Sequence, residues 1–536
     1  MPHASLPQIA ATAEVDVDGD TIIVRDGGTI RQLPLSWRTL IRLTRSYPRE
    51  HWTDVGLHAV ETLHADAAAS AAMASQDECA GAAADGLSTV QEQGVRWLTL
   101  PGGRVLADEM GSGKTVQACA ALQRLVDGGV TKALIVCPAS VIVSWMRHLA
   151  EWAPSWTAWR CDAPAAQRSD RVRQWAAHPR CGALVVSWDT LRRIDLGCAD
   201  IDVAVFDEAH RAKNPKTKRT RAAQAISASR RWCLTGTPIG NAPLDLWGVL
   251  RLADPAAWPS RDAFAAEFCR EISVGADGHT IHVWGSAAQR AALRSEMLPS
   301  WRRMSMQQAI GRDIERVRLR RMNQMSPPQQ VQYAKLRSEW VMEAGEHRKW
   351  VPDAVTRLLR LAQIAAGEMC EEDERWTMTA SSKIAELRAV MEELDGEQLV
   401  VFSPWLGLVD LTGRMLDDAG VESVRITGDV SASERANRIA AFQAGEAAVC
   451  VASTQAAGEG VDLSAARTVV HMAPSWSAVQ MSQAEDRVRR WTQESSTVRV
   501  IELCSAGTVE EQIWAAAERK IRLVDAVSPA ELASSL

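Results

Sequence analysis

A chain of 536 residues is longer than one hydrophobic core usually supports, so two or three domains are expected. With 46% hydrophobic and 24% charged residues the composition is that of a globular protein, neither disordered nor fibrous, and a net charge of −6 excludes a generally adhesive polycation while leaving room for a local basic groove. No apolar run reaches eighteen residues, and MPHASLPQIA lacks the basic flank and apolar core of a secretory signal, so a cytoplasmic protein without membrane contact is expected.

Residues 1–64 read as a small α+β domain. EVDVDGDTIIVR alternates apolar and polar residues around a Gly-Asp turn, the pattern of a hairpin, and PLSWRTLIRLTR reads as helical. This domain is a candidate surface for a protein partner. Residues 65–86 are rich in Ala, Ser and Gly and read as a linker or weak helix. From 87 to 255 short apolar runs alternate with helical segments: RVLA at 104–107, ALIVC at 133–137, ALVVS at 183–187, VAVFD at 203–207 and WCLTG at 232–236. Residues 256–380 read as mostly helical and basic around WRRMSMQQAIGRDIERVRLRR. A second alternating set fills 381–536, with LVVF at 399–402, SVRIT at 423–427, AVCVAS at 448–453, TVVHM at 468–472 and VRVIEL at 498–503. Such alternation predicts an α/β fold of two lobes, each a parallel sheet covered by helices.

Eleven cysteines occur without a CxxC pair or a Cys/His cluster at metal-ligand spacing, so neither zinc nor disulfides are expected. Cys137, Cys233, Cys450 and Cys504 lie in apolar runs and read as small buried hydrophobes. The 21 tryptophans outnumber 5 phenylalanines and 2 tyrosines. Trp152, Trp156, Trp159 and Trp175 could form a stacking platform for bases, but helix packing is the commoner use of such residues, and no function is assigned to them.

RVLADEMGSGKT runs from a strand through a glycine-rich turn into the helix TVQACAALQRL, the layout of a phosphate cradle. Backbone N–H groups around Gly111 and Gly113 would hold phosphates, Lys114 would neutralise them and the Thr115 hydroxyl would ligate Mg²⁺. The common GxxxxGK[ST] pattern has glycine where this chain has Asp108, and a chance GSGKT on a loop is the alternative. VAVFDEAH delivers Asp207 and Glu208 to the carboxyl end of a strand, where open α/β sheets place ligands. There Asp207 would hold Mg²⁺ and Glu208 would polarise water, or the pair would simply cap a helix.

Taken together these motifs resemble the Swi/Snf-type DNA translocases of helicase superfamily two, in which the loop typically reads DEMGxGKT. QEQGVRW at 91–97 resembles the adenine-contacting glutamine motif, with Gln91 as its glutamine. CPASVIVSW at 137–145, containing Ser144, and SWDTL at 187–191 resemble DNA-facing motifs. DEAHRAKN, LTGTPIGNAPLDLW, LVVFSPW, GDVSASER, ASTQAAGEGVDL and QAEDRVRRWTQ follow in the family's order, so the likeness spans 87 to about 515. It implies two tandem RecA-like lobes with a helical inter-lobe insertion and the small N-terminal domain, with ATP as nucleotide and Asp108 among the nucleotide-site residues. Arg487 and Arg490 match arginines that reach the nucleotide, although surface ion pairs would also explain them. Gly460 and Asp462, in the coupling motif, would sense nucleotide, or a turn on Gly458 and Gly460 explains that segment. Three departures stand out: Arg489 replaces a histidine, Trp491-Thr492 replaces Ile-Gly, and Ala473 occupies an acidic position. GSAAQRAALRSEMLPSWRR resembles most the fork-remodelling, strand-annealing branch.

Between Arg211 and Arg221 stand six basic residues and no acid. Charge alone fits a solvated loop as well as a DNA contact; the family position favours DNA, through Lys213, Lys216, Lys218 and Arg219. Phosphate contacts position without specifying, so binding independent of sequence is expected. The expectation is a monomeric ATP-dependent motor on double-stranded or forked DNA, acting in replication, repair or recombination. Strand separation, or displacement of RNA polymerase or another bound protein, are the alternatives. An arginine-rich, compact chain suits a bacterium of high genomic GC content or a phage infecting one, hence a bacterial or host cytoplasm.

Overall fold

The computed structural model describes residues 13–62 and 86–525, apart from interruptions at 19–20, 27–28, 35–36, 48, 163, 239–241, 275–278, 306–307, 309–313, 347–351, 373–374, 457–460, 491–492 and 494. The Ala-rich stretch expected as a linker therefore lies outside the described residues, Gly86 excepted. The chain forms two compact units, with the main division between residues 309 and 310.

The first unit opens with β1 (Glu14–Asp18), β2 (Thr21–Asp26) and β3 (Thr29–Pro34), an antiparallel sheet in that order. The expected hairpin is β1 and β2. The third strand takes residues up to Pro34, which the sequence reading had given to a helix; that helix starts later, at Trp37–Ser46. Val15, Ile22 and Val24 alternate onto one face and pack against Leu40, Leu43, Tyr47 and Trp52. Arg38, on the same helix, is buried and docks this sheet onto the rest of the unit. Its guanidinium donates to Glu296 and Glu267 and to the Ala257 carbonyl at 3.0 Å, and lies 4.1 Å from the centre of the Trp258 ring.

Seven parallel strands make the main sheet of this unit: β4 (Gly102–Leu106), β5 (Lys132–Cys137), β6 (Thr157–Arg160), β7 (Gly182–Ser187), β8 (Ile201–Asp207), β9 (Ala228–Leu234) and, after the hairpin β10 (Cys269–Val274) and β11 (His279–Trp284), the two-residue β12 (Trp301–Arg302). Their order is β12-β4-β9-β8-β5-β7-β6. Both faces are covered, which is why the central strands β5, β7 and β8 carry the continuous apolar runs ALIVC, ALVV and VAVF. Leu134, Val136, Leu184, Val186, Ala204 and Phe206 face one core, while Ala133, Ile135, Ala183, Val185, Val203 and Val205 face the other. Trp156 and Trp175 are buried in these cores and donate their indole N–H to the carbonyls of Leu122 and Gly182 at 3.0 and 2.9 Å, so they pack rather than stack on bases.

The second unit holds β13 (Glu315–Asn323), the hairpin β14 (Glu368–Glu372) and β15 (Arg375–Ala380), then β16 (Leu399–Ser403), β17 (Ser423–Ile426), β18 (Val449–Ser453), β19 (Thr468–His471) and β20 (Thr497–Ser505). A six-stranded parallel sheet runs β13-β20-β19-β16-β18-β17. The interval 256–380 carries helices, as expected, and also supplies β12 to the first sheet and β13 to the second. ERVRLRRMN is a strand because its arginines alternate. Arg316 pairs with Glu485 and Asp486, Arg318 with Glu485 and Glu502, and Arg320 with Glu502 and Glu518. Cys233 and Cys450 are buried on their strands, and burial pushes both thiols up to about 12. Among the described residues no helix is long and apolar enough to cross a membrane.

Two predictions follow from these ion pairs. Replacing Arg38 by Met takes from the buried Glu296 the closer of its two guanidinium partners and leaves it only Arg42 at 3.5 Å. The change is expected to cost about 3 kcal/mol and to raise hydrogen exchange in β1, β2 and β3 above that in β5 and β7. Glu485 would be pushed up by burial, yet the His471 hydrogen bond and the Arg318 and Arg316 charges hold it at about 2, below the ordinary 4.5. Its stabilisation is therefore complete above pH 4.5 and fades as the pH falls towards 2. Glu485→Gln should lower stability at neutral pH by about 3 kcal/mol and flatten the acid limb of stability measured by urea unfolding between those two values.

Candidate active site

The loop after β4 is shaped by glycine. Gly111 and Gly113 have φ of 82° and 81°, the left-handed region that other residues rarely adopt. Gly113 precedes the helix Lys114–Leu125, and no side chain caps that helix. Its first turn therefore presents backbone donors and the positive end of the helix dipole. A Cβ at Gly113 would meet Gln91 Nε2 at 2.4 Å, so Gln91 closes the loop from one side. Gln91 is held by a capping box with Ser88 at the start of the helix Thr89–Thr99. Lys114 Nζ donates to the carbonyls of Asp108 and Glu109 at 2.7 and 2.9 Å. Burial pulls the Lys114 pKa down, and the carboxylates of Glu208, Asp108 and Asp207 oppose that. Thr115 follows in the first turn, half-buried.

Asp207 ends β8. Its Oδ2 accepts the Trp145 indole N–H at 2.8 Å, its Oδ1 accepts the Glu208 backbone N–H at 3.0 Å, and its carbonyl accepts the Trp188 indole N–H at 2.9 Å. Burial and the adjacent Glu208 charge raise its pKa to about 6. Glu208 has φ 51°, the left-handed region, a strain that redirects the chain abruptly after the strand. Its carboxylate lies 3.2 Å from His210 Nδ1, which is 3.3 Å from the Thr235 hydroxyl. Thr235 in turn donates its backbone N–H to Leu106 at 3.1 Å, tying LTGTP to β4. His210, Thr235, Trp145 and Trp188 were given no site role from the sequence; two Ser-Trp pairs, at 144–145 and 187–188, were the available signal.

A left-handed glycine cradle, an ammonium at its rim and two carboxylates at the adjoining strand end fit a nucleoside triphosphate with a hard divalent cation. The donors are oxygens, as Mg²⁺ requires, and a carboxylate and a hydroxyl suffice when phosphates and waters complete the shell.

Asp108, expected among the nucleotide-site residues, meets Lys114 through its main-chain carbonyl, and its charge acts on that ammonium. Its carboxylate is fully buried and turned inward, accepting the Met304 backbone N–H at 2.9 Å and Gln117 Nε2 at 3.4 Å, with Arg302 Nε at 3.7 Å. Of the basic run, Lys216 and Lys218 are exposed, Arg219 is half-buried and Lys213 lies 3.8 Å from Asp245. Ser144 is half-buried beside Trp145.

In the second unit Arg487 and Arg490 lie on turns beyond the helix Ala478–Glu485, not on a continuous helix. Arg490 donates to the Val461 carbonyl at 2.6 Å and lies 3.8 Å from Asp462, an ion pair of the kind left open above. Burial and the Arg487 charge lower its pKa to about 10. The Arg487 carbonyl accepts the Leu463 N–H at 2.9 Å. Arg489 donates to the Ile314 carbonyl at 2.7 Å, and Ala473 is buried. Gly460 lies outside the described residues.

The SNF2-related domain family matches residues 90–392, and the helicase conserved C-terminal domain matches 382–492. The DNA excision repair protein ERCC-6-like of Mus musculus is 26% identical over 491 residues, covering 77% of this chain and 39% of its own length. The SWI/SNF-related matrix-associated actin-dependent regulator of chromatin subfamily A-like protein 1 of Xenopus tropicalis is 28% identical, covering 82% and 44%. An uncharacterized ATP-dependent helicase of Mycoplasma pneumoniae is 26% identical, covering 82% and 42%. The chain thus spans about two fifths of the length of these relatives. A solved structure described as a Sulfolobus solfataricus SWI2/SNF2 ATPase core in complex with dsDNA is 25% identical, with a TM-score of 0.38, covering 79% of this chain and 89% of that one. Because the SNF2-related domain alone accounts for more than half of its residues, this chain belongs to the SNF2-related, Swi/Snf-type family of superfamily-two helicases.

Proposed function

We propose that this chain is a DNA-dependent ATPase that moves along double-stranded or forked DNA in replication, repair or recombination. The observation that carries this reading is the convergence of Lys114 with Asp207 and Glu208 on one end of the first sheet, where the two carboxylates are among the charges that act most on the ammonium. In this reading Gly111, Gly113 and the first turn after them bind phosphate oxygens, and Lys114 leaves its loop carbonyls to neutralise the outer phosphates. Gln91, against Gly113, contacts the base. Thr115 and Asp207 hold Mg²⁺, which when bound would clamp and neutralise phosphate oxygens. Glu208 orients and polarises the attacking water, with His210 within reach of its carboxylate. From the family likeness, Arg487 and Arg490 are assigned to the charge that develops on the phosphates, and Asp462, 3.8 Å from Arg490, to sensing nucleotide.

Family membership supports DNA as the track, and the exposed Lys216 and Lys218 suit its phosphates, with Lys213, Arg219 and Ser144 beside them. Such contacts would make binding fall steeply with salt and depend little on sequence.

The test is hydrolysis of ATP by the purified protein without nucleic acid and with single-stranded, duplex or forked DNA, using Lys114→Ala as the blank. Stimulation by duplex or forked DNA, abolished in Lys114→Ala, is the expected result. Stimulation by single strands alone would replace translocation with strand separation, and hydrolysis indifferent to every DNA would overturn both and direct attention to a protein partner.

A further inference from the structure

Two segments of the first unit end in the same dipeptide and aim it at the same residue. Ser144-Trp145 lies on the helix Ile142–Trp152, and Ser187-Trp188 sits where β7 passes into the short helix Trp188–Leu191. Both segments belong to stretches expected to face DNA; Ser144 is half-buried, Ser187 is buried as the cap of its short helix, and both tryptophans point inward. Both indoles are buried, at 0% and 1% exposure, and each spends its single polar atom on Asp207. Trp145 donates to the carboxylate at 2.8 Å and Trp188 to the main-chain carbonyl at 2.9 Å. Neither needed that partner in order to be buried: Trp156 and Trp175 satisfy their N–H groups on ordinary carbonyls of helix and strand.

The consequence is mechanical. Asp207 Oδ1 is occupied by the backbone N–H of Glu208, so the Trp145 bond fixes the remaining rotation of the carboxylate and with it the direction of Oδ2. Trp188 fixes the peptide that carries Glu208 into its left-handed turn. Ser187 is itself buried with its hydroxyl bonded to Thr190, so it is displacement of either segment as a whole that moves an indole packed on all sides, and the packed ring transmits the shift because close-packed interiors do not absorb it. Trp188 is further braced against Phe206 of β8, with ring centres 6.1 Å apart.

We propose that Trp145 and Trp188 are positioning residues through which the two DNA-facing segments set the orientation of Asp207 and Glu208, so that DNA binding and nucleotide binding are coupled at this pair of indole hydrogen bonds. The proposal rests on the DNA-dependent ATPase reading above and adds the device that links its two ligands. Coupling is reciprocal: if DNA strengthens nucleotide binding, nucleotide strengthens DNA binding by the same factor.

The test therefore uses binding as well as turnover. Duplex DNA affinity is measured by fluorescence anisotropy on the full chain with and without a non-hydrolysable ATP analogue and Mg²⁺, alongside the ratio of DNA-stimulated to unstimulated hydrolysis. The variants are Trp145→Phe and Trp188→Phe, which keep an aromatic ring but remove the N–H together with some volume, and Trp175→Phe as the control for that lost packing. The expected result is that both the affinity ratio and the stimulation ratio fall about tenfold in each of the first two and hold in the third. Unchanged ratios in Trp145→Phe and Trp188→Phe, with the parent protein stimulated by DNA, overturn the proposal and leave the ATPase reading standing. An equal fall in Trp175→Phe also overturns it, by assigning the effect to packing, and a fall in one variant alone overturns the claim that both segments act through Asp207. A parent protein unmoved by DNA would instead overturn the reading on which the proposal rests.

Discussion

The buried carboxylate of Asp108 is the contact on which the phosphate loop depends. A glycine-rich turn has too little side chain to hold its own shape, and its left-handed residues are entropically costly to fix. Asp108 answers this by reaching inward to the Met304 N–H, beside Gln117 and the guanidinium of Arg302. Arg302 belongs to β12, two residues long and almost two hundred positions away in sequence, hydrogen-bonded beside β4. Ala107 and Glu109 add backbone bonds to Arg302 and Met304 at 2.7 and 2.9 Å. The common loop pattern has glycine at the aspartate's position; here the loop is instead anchored by a side chain to a strand that returns late in the chain.

This explains where the sequence was readable and where it was not. The apolar runs at 133–137, 183–187 and 203–207 announce a covered parallel sheet because nothing but burial on both faces permits such continuity. The strand-loop-helix around Lys114 and the strand ending in Asp207 are equally local, so the candidate nucleotide residues could be named from spacing. What could not be named depends on partners far off in sequence. ERVRLRRMN looks like a basic helix until Glu485, Glu502 and Glu518 are known to lie opposite alternate arginines. The inward contacts of the Asp108 carboxylate are invisible until Arg302 and Met304 are placed, and the indoles at 145 and 188 look like ordinary core until their N–H groups are traced to Asp207.

Tryptophan carries more of the polar work than its composition suggests. A buried indole brings a large apolar surface and one donor, which among the described residues Trp97, Trp232, Trp247, Trp301 and Trp514 bury without a hydrogen-bond partner. Trp52 satisfies it on the Tyr47 carbonyl at 3.0 Å, and Trp156 and Trp175 on carbonyls of the first unit. Each such bond pins a ring to one backbone position, which is a stronger constraint on core geometry than a phenylalanine of similar size would impose. Among the described residues, only the Trp145 and Trp188 indole bonds lie at the carboxyl end of β8 beside the two carboxylates; the Trp175 bond holds the opposite, amino end of β7.

Perturbed ionisation alone does not single out the working carboxylates. Glu510 is also buried and shifted upwards, yet it accepts from Lys383 Nζ at 2.6 Å and from the Ser505 N–H at 2.8 Å and closes a contact inside the second unit. Glu485 is buried too, and three cationic or hydrogen-bonding neighbours drive it to about 2. Both are acids whose charge is matched within the protein. Asp207 is different because the adjacent Glu208 is another carboxylate, the donors on its carboxylate are two neutral N–H groups, and of the cations that act on it, Lys114 and Arg211, the first is engaged with loop carbonyls. A pair of acids held this way at the carboxyl end of a parallel sheet is stable only at a cost, which a divalent cation held by Asp207 would offset. The site is thus distinguished by the mismatch between its own charges, resolved by a ligand, and not by the size of any single shift.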